Sequence, residues 1–103
     1  MNCKWSKKDK EIAKKAFNNA YNRECMSLIN EVNGSNIQNP EQLWNLCDRL
    51  CNRRKEIEEK YDYRYSVLIF VFARLIKDGY LNYEELSGIS REIIEKIKIL
   101  LKS

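Results

Sequence analysis

The chain has 103 residues, 44% of them apolar and 33% charged, with one Pro, three Gly, no His and a formal net charge of +4. That size fits one small domain, near the lower end of what folds alone, so that oligomerisation would help it. The composition is that of a folded helical protein rather than a disordered one. The absence of histidine removes the commonest general acid-base, and no glycine-rich phosphate loop or nucleophile motif stands in its place.

In chain order, Ser6 with Asp9 three residues later forms a helix start signal, and Asn33-Gly34 ends the helix. Between them Ile12, Ala16, Phe17, Ala20, Tyr21, Leu28, Ile29 and Val32 predict one broad apolar face on a helix of about 40 Å. A helix that long outruns its own core, so part of this face is expected to pair with a second copy. A loop follows over 34–38. Asn39-Pro40, with Gln42, then starts a second helix running to about Tyr61. Its seam is Leu43, Cys47, Leu50, Arg54, Ile57 and Tyr61, at alternating steps of four and three, with Arg54 where Leu is expected. The short connection favours an antiparallel hairpin.

A bend is expected near Asp62. The apolar run from Val67 to Ile76 has strand-like composition but no second strand to pair with, so helix is predicted, closed by Asp78-Gly79. Asn82 with Glu85 caps a short turn. Ser90 caps a last helix whose apolar face is Ile93, Ile94, Ile97, Leu100 and Leu101. The expectation is an all-α single domain over 1–103, with two long helices as a dimerising stalk (about 6–62) and a small head of short helices (63–103).

Six lysines crowd the first fifteen residues: Lys4, Lys7, Lys8, Lys10, Lys14 and Lys15. Because Asp9 and Glu11 interleave with them, they read as a solvated helix face rather than a phosphate-contacting patch. Cys3, Cys25, Cys47 and Cys51 lack the paired clusters of a zinc site, and no N-terminal apolar run suggests secretion. A reduced, cytosolic chain with no metal and no cofactor follows. The paired carboxylates Glu58-Glu59 and Glu84-Glu85 read as solvated charge. One enzymatic alternative is a dicarboxylate held by Arg54 with Arg64 or Arg74. The most distinctive constellation is Trp44, Asp48 and Cys51 on one side of the second helix, flanked by Cys47 and Arg54. Trp and Arg are enriched at binding hot spots. The structural alternative makes Trp44 hairpin core and Asp48 with Arg54 an internal ion pair.

Trp5-Ser6, Ala16-Phe17 and Ala20-Tyr21-x-Arg23-Glu24, then Leu43-Trp44-x-Leu46-x-Asp48, and above all Arg54-x-Glu56-Ile57-x-x-Lys60-Tyr61-Asp62-x-Arg64-x-Ser66-Val67-x-Ile69-Phe70-Val71-Phe72-Ala73, resemble the fluorescence recovery protein family of cyanobacteria. Glu84-Glu85-Leu86 and Lys96-Ile97-Lys98 extend the resemblance over nearly the whole chain. It implies an all-helical homodimer that is not an enzyme. Such a protein binds photoactivated orange carotenoid protein through that partner's C-terminal domain, detaches it from the phycobilisome and speeds its red-to-orange return. It would be cytoplasmic, with the cytoplasmic face of the thylakoid membrane as a further location, and would need neither nucleic acid nor integral membrane contact.

The family's patch falls on Trp44, Asp48 and Arg54, and its head contacts on Phe70 and Lys96. Cys47 stands where the family commonly has histidine, which bears on partner affinity. The dimer seam is expected at Ile29, Val32, Leu43, Leu50 and Arg54, with Asp48 or another carboxylate neutralising Arg54. The alternatives are a helical dimer of the same kind with a different protein partner, and a DNA-binding or signalling module.

Overall fold

The computed structural model describes residues 4–102, so Cys3 lies outside the described residues. Four α-helices and one 3₁₀ turn make up the fold: α1 (Lys7–Asn33), α2 (Pro40–Lys60), α3 (Leu68–Asp78), the turn Tyr83–Leu86, and α4 (Arg91–Leu101). No strand occurs among the described residues. The molecule is elongated, with extents of 53 × 24 × 20 Å.

The start of α1 is built as its sequence dictates. The Ser6 hydroxyl accepts from the Asp9 N–H and the Asp9 carboxylate accepts from the Ser6 N–H, both at 3.0 Å. At the start of α2, Asn39 accepts from the Gln42 N–H at 2.9 Å, with Pro40 in the first turn. Gly79 ends α3 in the left-handed region, φ 88°, where a side chain would be strained.

The core lies in the head. Leu68, Ile69, Val71, Phe72 and Leu75 of α3 pack with Ile93 and Ile97 of α4, and Leu81, Leu86 and Ile89 close the space between them. The first half of α1 belongs to this core as well, through Trp5, Ala13, Ala16 and Ala20. Helix α1 is therefore shared between head and stalk, rather than belonging wholly to the stalk. The small alanine side chains let the head's 3₁₀ turn approach the helix closely. This also corrects the expected apolar face: Ile12 and Phe17 only flank the core, while Tyr21, Ile29 and Val32 are exposed. Past Glu24 there is no head left for α1 to lean on.

Ser90 departs from its expected role. It occupies the N-cap position of α4 but makes no side-chain cap. Its N–H instead donates to Asp9 at 2.8 Å, and its hydroxyl also bonds that carboxylate. Asp9 is thus a buried clamp joining the starts of α1 and α4. Burial works against its ionised form, but the hydrogen bonds from Ser90 and Ser6 outweigh burial and hold its pKa below the usual value.

Residues 61–66 do more than bend. The segment 61–64 runs back along α1 as an extended strap with a period of two, and a turn over 65–67, closed by the Val67 N–H donating to the Arg64 carbonyl at 3.0 Å, leads into α3. Tyr61, Tyr63 and Tyr65 turn inward: Tyr61 and Tyr63 meet Phe17 edge-on at 5.4 and 4.8 Å between ring centres, and Tyr65 lies 5.5 Å from Trp5. Asp62 and Arg64 turn outward and pair with each other.

A second polar tie fixes α1 to the 3₁₀ turn. Arg23 donates to both oxygens of Glu85, at 2.6 and 2.8 Å, and to the Tyr80 carbonyl at 3.0 Å. Glu85 is therefore no free solvated carboxylate. The guanidinium holds its pKa at about 2, against 4.5 ordinarily. Because the folded pKa is depressed, this pair stabilises the fold fully above about 4.5, and the contribution disappears as pH falls toward 2. In urea titrations at successive pH, the stability advantage of wild type over Glu85→Gln is expected to stay level from neutrality to about pH 5, then shrink toward zero. An advantage that persists undiminished through the acid range would show that Arg23 is not what holds the carboxylate.

Candidate functional site

The stalk is held by one buried carboxylate. Glu24, fully buried on α1, accepts from Lys60 Nζ at 2.7 and 2.9 Å, from Arg53 at 2.9 Å and from the Tyr61 hydroxyl at 2.9 Å. Lys60 also donates to Asp78 at the end of α3, at 3.1 Å. Further out, Arg49 meets Glu31 at 3.2 Å on the surface. Pairings 24 with 53 and 31 with 49 make α1 and α2 antiparallel, as the short loop requires. Burial, together with the bond to Glu24, pushes the Tyr61 hydroxyl well above its ordinary pKa, so it remains a donor.

Helix α2 keeps little else out of water. Of its 21 residues only Ile57 and Lys60 are buried. Its seam instead lines two adjoining grooves that share Leu50 and Arg54. The first, of about 500 Å³, lies between the helices and is lined by Tyr21, Cys25 and Leu28 of α1 with Ile57 and Glu58 of α2 and Tyr61 just after it. The second, of about 340 Å³, is a shallow apolar trough formed by Leu43, Leu46, Cys47 and Cys51. Leu43 is 46% exposed on this face.

Arg54 pairs with Glu58 at 3.0 Å and its side chain is 82% exposed. The expected partner Asp48 is six residues away, about 120° around the helix, whereas Glu58 lies one turn on. Nor is Trp44 hairpin core: it is 62% exposed. The structure thus brings Cys47 and Arg54 together with Leu43 and Leu50, and leaves Trp44 and Asp48 exposed on the same helix beside them. Ile29 and Val32 lie exposed on α1, lining neither groove. Cys51, one turn from Cys47, pushes the Cys47 thiol up, so it stays protonated at neutral pH.

The other expected site residues lie on the head. Phe70, 45% exposed, borders a hollow of about 310 Å³ with Ala73, Arg74, Lys77 and Leu100. Lys96 is half-buried on α4 and reaches Glu92 at 3.5 Å. The arginines proposed for a dicarboxylate do not converge, since Arg54, Arg64 and Arg74 pair with Glu58, Asp62 and Asp78 of their own segments. Among the described residues no cluster of three or more Cys, Asp or Glu is arranged to hold a metal ion. No helix there is long and apolar enough to cross a membrane.

The residues that set this geometry, Glu24, Lys60 and Asp78, stand out in the sequence only as part of a motif or as a helix end. A signal existed. Glu24 continues the buried α1 register Ala13, Ala16, Ala20, and Lys60 stands two turns after Arg53, so opposite charges occupy inward positions on the two helices.

Fold and site together define an elongated all-helical protein whose second helix leaves apolar and charged side chains exposed. Residues 5–101 match the family model described as photoprotection regulator fluorescence recovery protein. Over 100 residues the chain is 41% identical to the fluorescence recovery protein of Synechocystis sp. (strain ATCC 27184 / PCC 6803 / Kazusa), spanning 95% of this chain and 92% of that protein. Its fold is similar to the solved fluorescence recovery protein of Fremyella diplosiphon, with a TM-score of 0.91, 43% identity, and 97% of this chain and 100% of that one covered. The solved Synechocystis sp. PCC 6803 protein gives a TM-score of 0.80 at 41% identity, over 90% and 98% of the two chains. This chain belongs to the fluorescence recovery protein family, a family of photoprotection regulators.

Removing the Glu24 carboxylate leaves the Lys60 ammonium buried with Asp78 alone, and breaking a buried pair in this way costs about 3 kcal/mol. Urea denaturation of Glu24→Ala is expected to show a loss of that order, with most of it recovered in Glu24→Ala/Lys60→Met. If the double variant is as unstable as the single one, the loss comes from packing and not from the stranded charge.

Proposed function

We propose that this protein acts as a dimer that binds photoactivated orange carotenoid protein, detaches it from the phycobilisome and speeds its return to the orange form. The observation that carries this reading is α2 itself. A 21-residue helix with two buried residues leaves most of its apolar stripe uncovered, and a 62% exposed Trp44 stands beside that stripe with Asp48, Cys47 and Arg54. Tryptophan and arginine left in water at the middle of an apolar stripe are typical anchors awaiting a partner, because both surrender hydration at little cost when a directed bond is made.

Two partners share the stripe. A second copy covers the seam residues Leu43 and Leu50 and the exposed Ile29 and Val32 of α1, which relieves a small domain of apolar surface it cannot bury. Trp44, Cys47, Asp48 and Arg54 then form a surface at the edge of that seam for the carotenoid protein's C-terminal domain, with Phe70 and Lys96 of the head as outlying contacts. Acceleration follows from differential affinity: a binder biases a two-state partner only as far as it favours one conformer over the other. Membership of a photoprotection-regulator family supports the same reading.

The test follows the absorbance of photoconverted carotenoid protein in the dark, with and without this protein. Wild type is expected to accelerate the red-to-orange return, and Arg54→Leu to reduce that acceleration by at least about tenfold, the size of a modest hot spot. Unchanged acceleration by Arg54→Leu would move the site off α2. For the assembly, Ile29→Glu is expected to convert a dimer into monomers in light-scattering chromatography. A dimer that survives the added charge would place the seam elsewhere.

A further inference from the structure

Cys47 and Cys51 stand one helical turn apart on α2, the spacing that stacks two side chains on one face. Both line the apolar trough, with Leu43, Leu46, Leu50 and Arg54 around them. Their sulfurs are free of any disulfide, and Cys51 is the largest influence on the Cys47 thiol, through its charge and a hydrogen bond, so the two thiols stand side by side. Cys25 is apart from this pair. It lies in the other groove, where its thiol contacts the Tyr21 hydroxyl.

The spacing decides what can join the two sulfurs. Cβ atoms one turn apart on a helix are about 5–6 Å from each other, whereas a disulfide draws its Cβ atoms to about 3.5–4.5 Å. Closing an S–S bond here therefore distorts the turn. A single atom between the sulfurs removes that strain: with metal–thiolate bonds of about 2.3 Å, a linear S–metal–S unit spans about 4.6 Å. The number of ligands decides which metal. Zinc in a structural site takes four, and among the described residues no third Cys, Asp or Glu converges on the pair, in a chain that has no histidine. A soft monovalent ion is complete with two thiolates, and thiolates select copper(I). Two thiolates around one monovalent cation keep a net negative charge. Arg54, three residues past Cys51 and lining the same trough, sets a guanidinium along it, and the leucines around them make that attraction stronger than in open water.

We propose that Cys47 and Cys51 bind one copper(I) ion between their sulfurs, within the trough. Two S–Cu bonds form, the two thiol protons pass to solvent, and copper stays monovalent, so nothing is oxidised or reduced. The ion links two successive turns of a helix that buries only Ile57 and Lys60, so binding stabilises the stalk.

Competition with bathocuproine disulfonate tests this. The coloured copper(I) complex of that chelator is titrated with the full chain under nitrogen, with ascorbate present, and the loss of colour gives the copper withdrawn. One ion per chain is expected. Cys3→Ser/Cys25→Ser is expected to keep it, whereas Cys47→Ser and Cys51→Ser each lose at least about 100-fold in affinity, as much as the loss of an outer-shell partner or more. Circular dichroism should be the same for all of them before copper is added, since both thiols are exposed. One equivalent of copper(I) should raise the melting temperature of wild type and of Cys3→Ser/Cys25→Ser but not that of the other two, and zinc(II) at the same concentration should raise none. No withdrawal of copper, full affinity in either single variant, loss of binding with Cys3 and Cys25, one ion shared by two chains, or zinc held as tightly as copper(I) would each overturn the proposal. No carotenoid protein enters these measurements, so their result stands apart from the fate of the partner surface.

Discussion

The placement of α2 depends on the carboxylate of Glu24. Burying an anion is costly unless every lone pair is used, and here one ammonium, one guanidinium and one phenol use them. What the burial secures is specificity of arrangement. The three donors come from the last two turns of α2 and the first residue of the strap, so a single atom group on α1 sets where the second helix leaves the head. Lys60 carries the constraint on to Asp78 and thus to α3. Stalk and head meet at one polar joint, surrounded by rings.

Around that joint the two halves of the molecule obey different rules. The head is a dry core of Leu, Ile and Phe with an alanine seam against it. The stalk has surface ion pairs of small individual worth and apolar side chains left in water. A chain that satisfies itself at one end and leaves the other unsatisfied has its interaction capacity built into its shape.

The helices themselves were legible because their ends are chemically marked: Ser6 with Asp9, Asn39-Pro40 and Gly79 all stand where hydrogen-bond geometry needs them. The seam of α2 was legible for the same reason, as period and composition agree. What escaped was whatever depends on a distant partner. Asp9 looks like a surface acid until Ser90, 81 residues on, is folded against it. Glu24 and Lys60 look like ordinary helix charges until the hairpin closes. Arg54 is expected against Asp48 or another carboxylate, and the one-turn spacing to Glu58 is the signal that singles out the partner it has within the chain. The strap escaped since alternating tyrosines over five residues are too short a run for periodicity to declare itself without the helix they lie on.

That strap limits how the chain can change. Its contacts repeat every second residue, and both of its ends are pinned, one by the Glu24 joint and the other by the buried start of α3. Loss or gain of a single residue within 61–66 would turn part of the tyrosine face to solvent and drive Asp62 or Arg64 against the rings of Phe17 and Trp5. A change of two residues would keep the faces but shift α3 by about 7 Å, at 3.3 Å per residue, out of its seat in the core. Length is therefore more strongly constrained in this connection than in the exposed 34–38 loop, although neither has regular secondary structure.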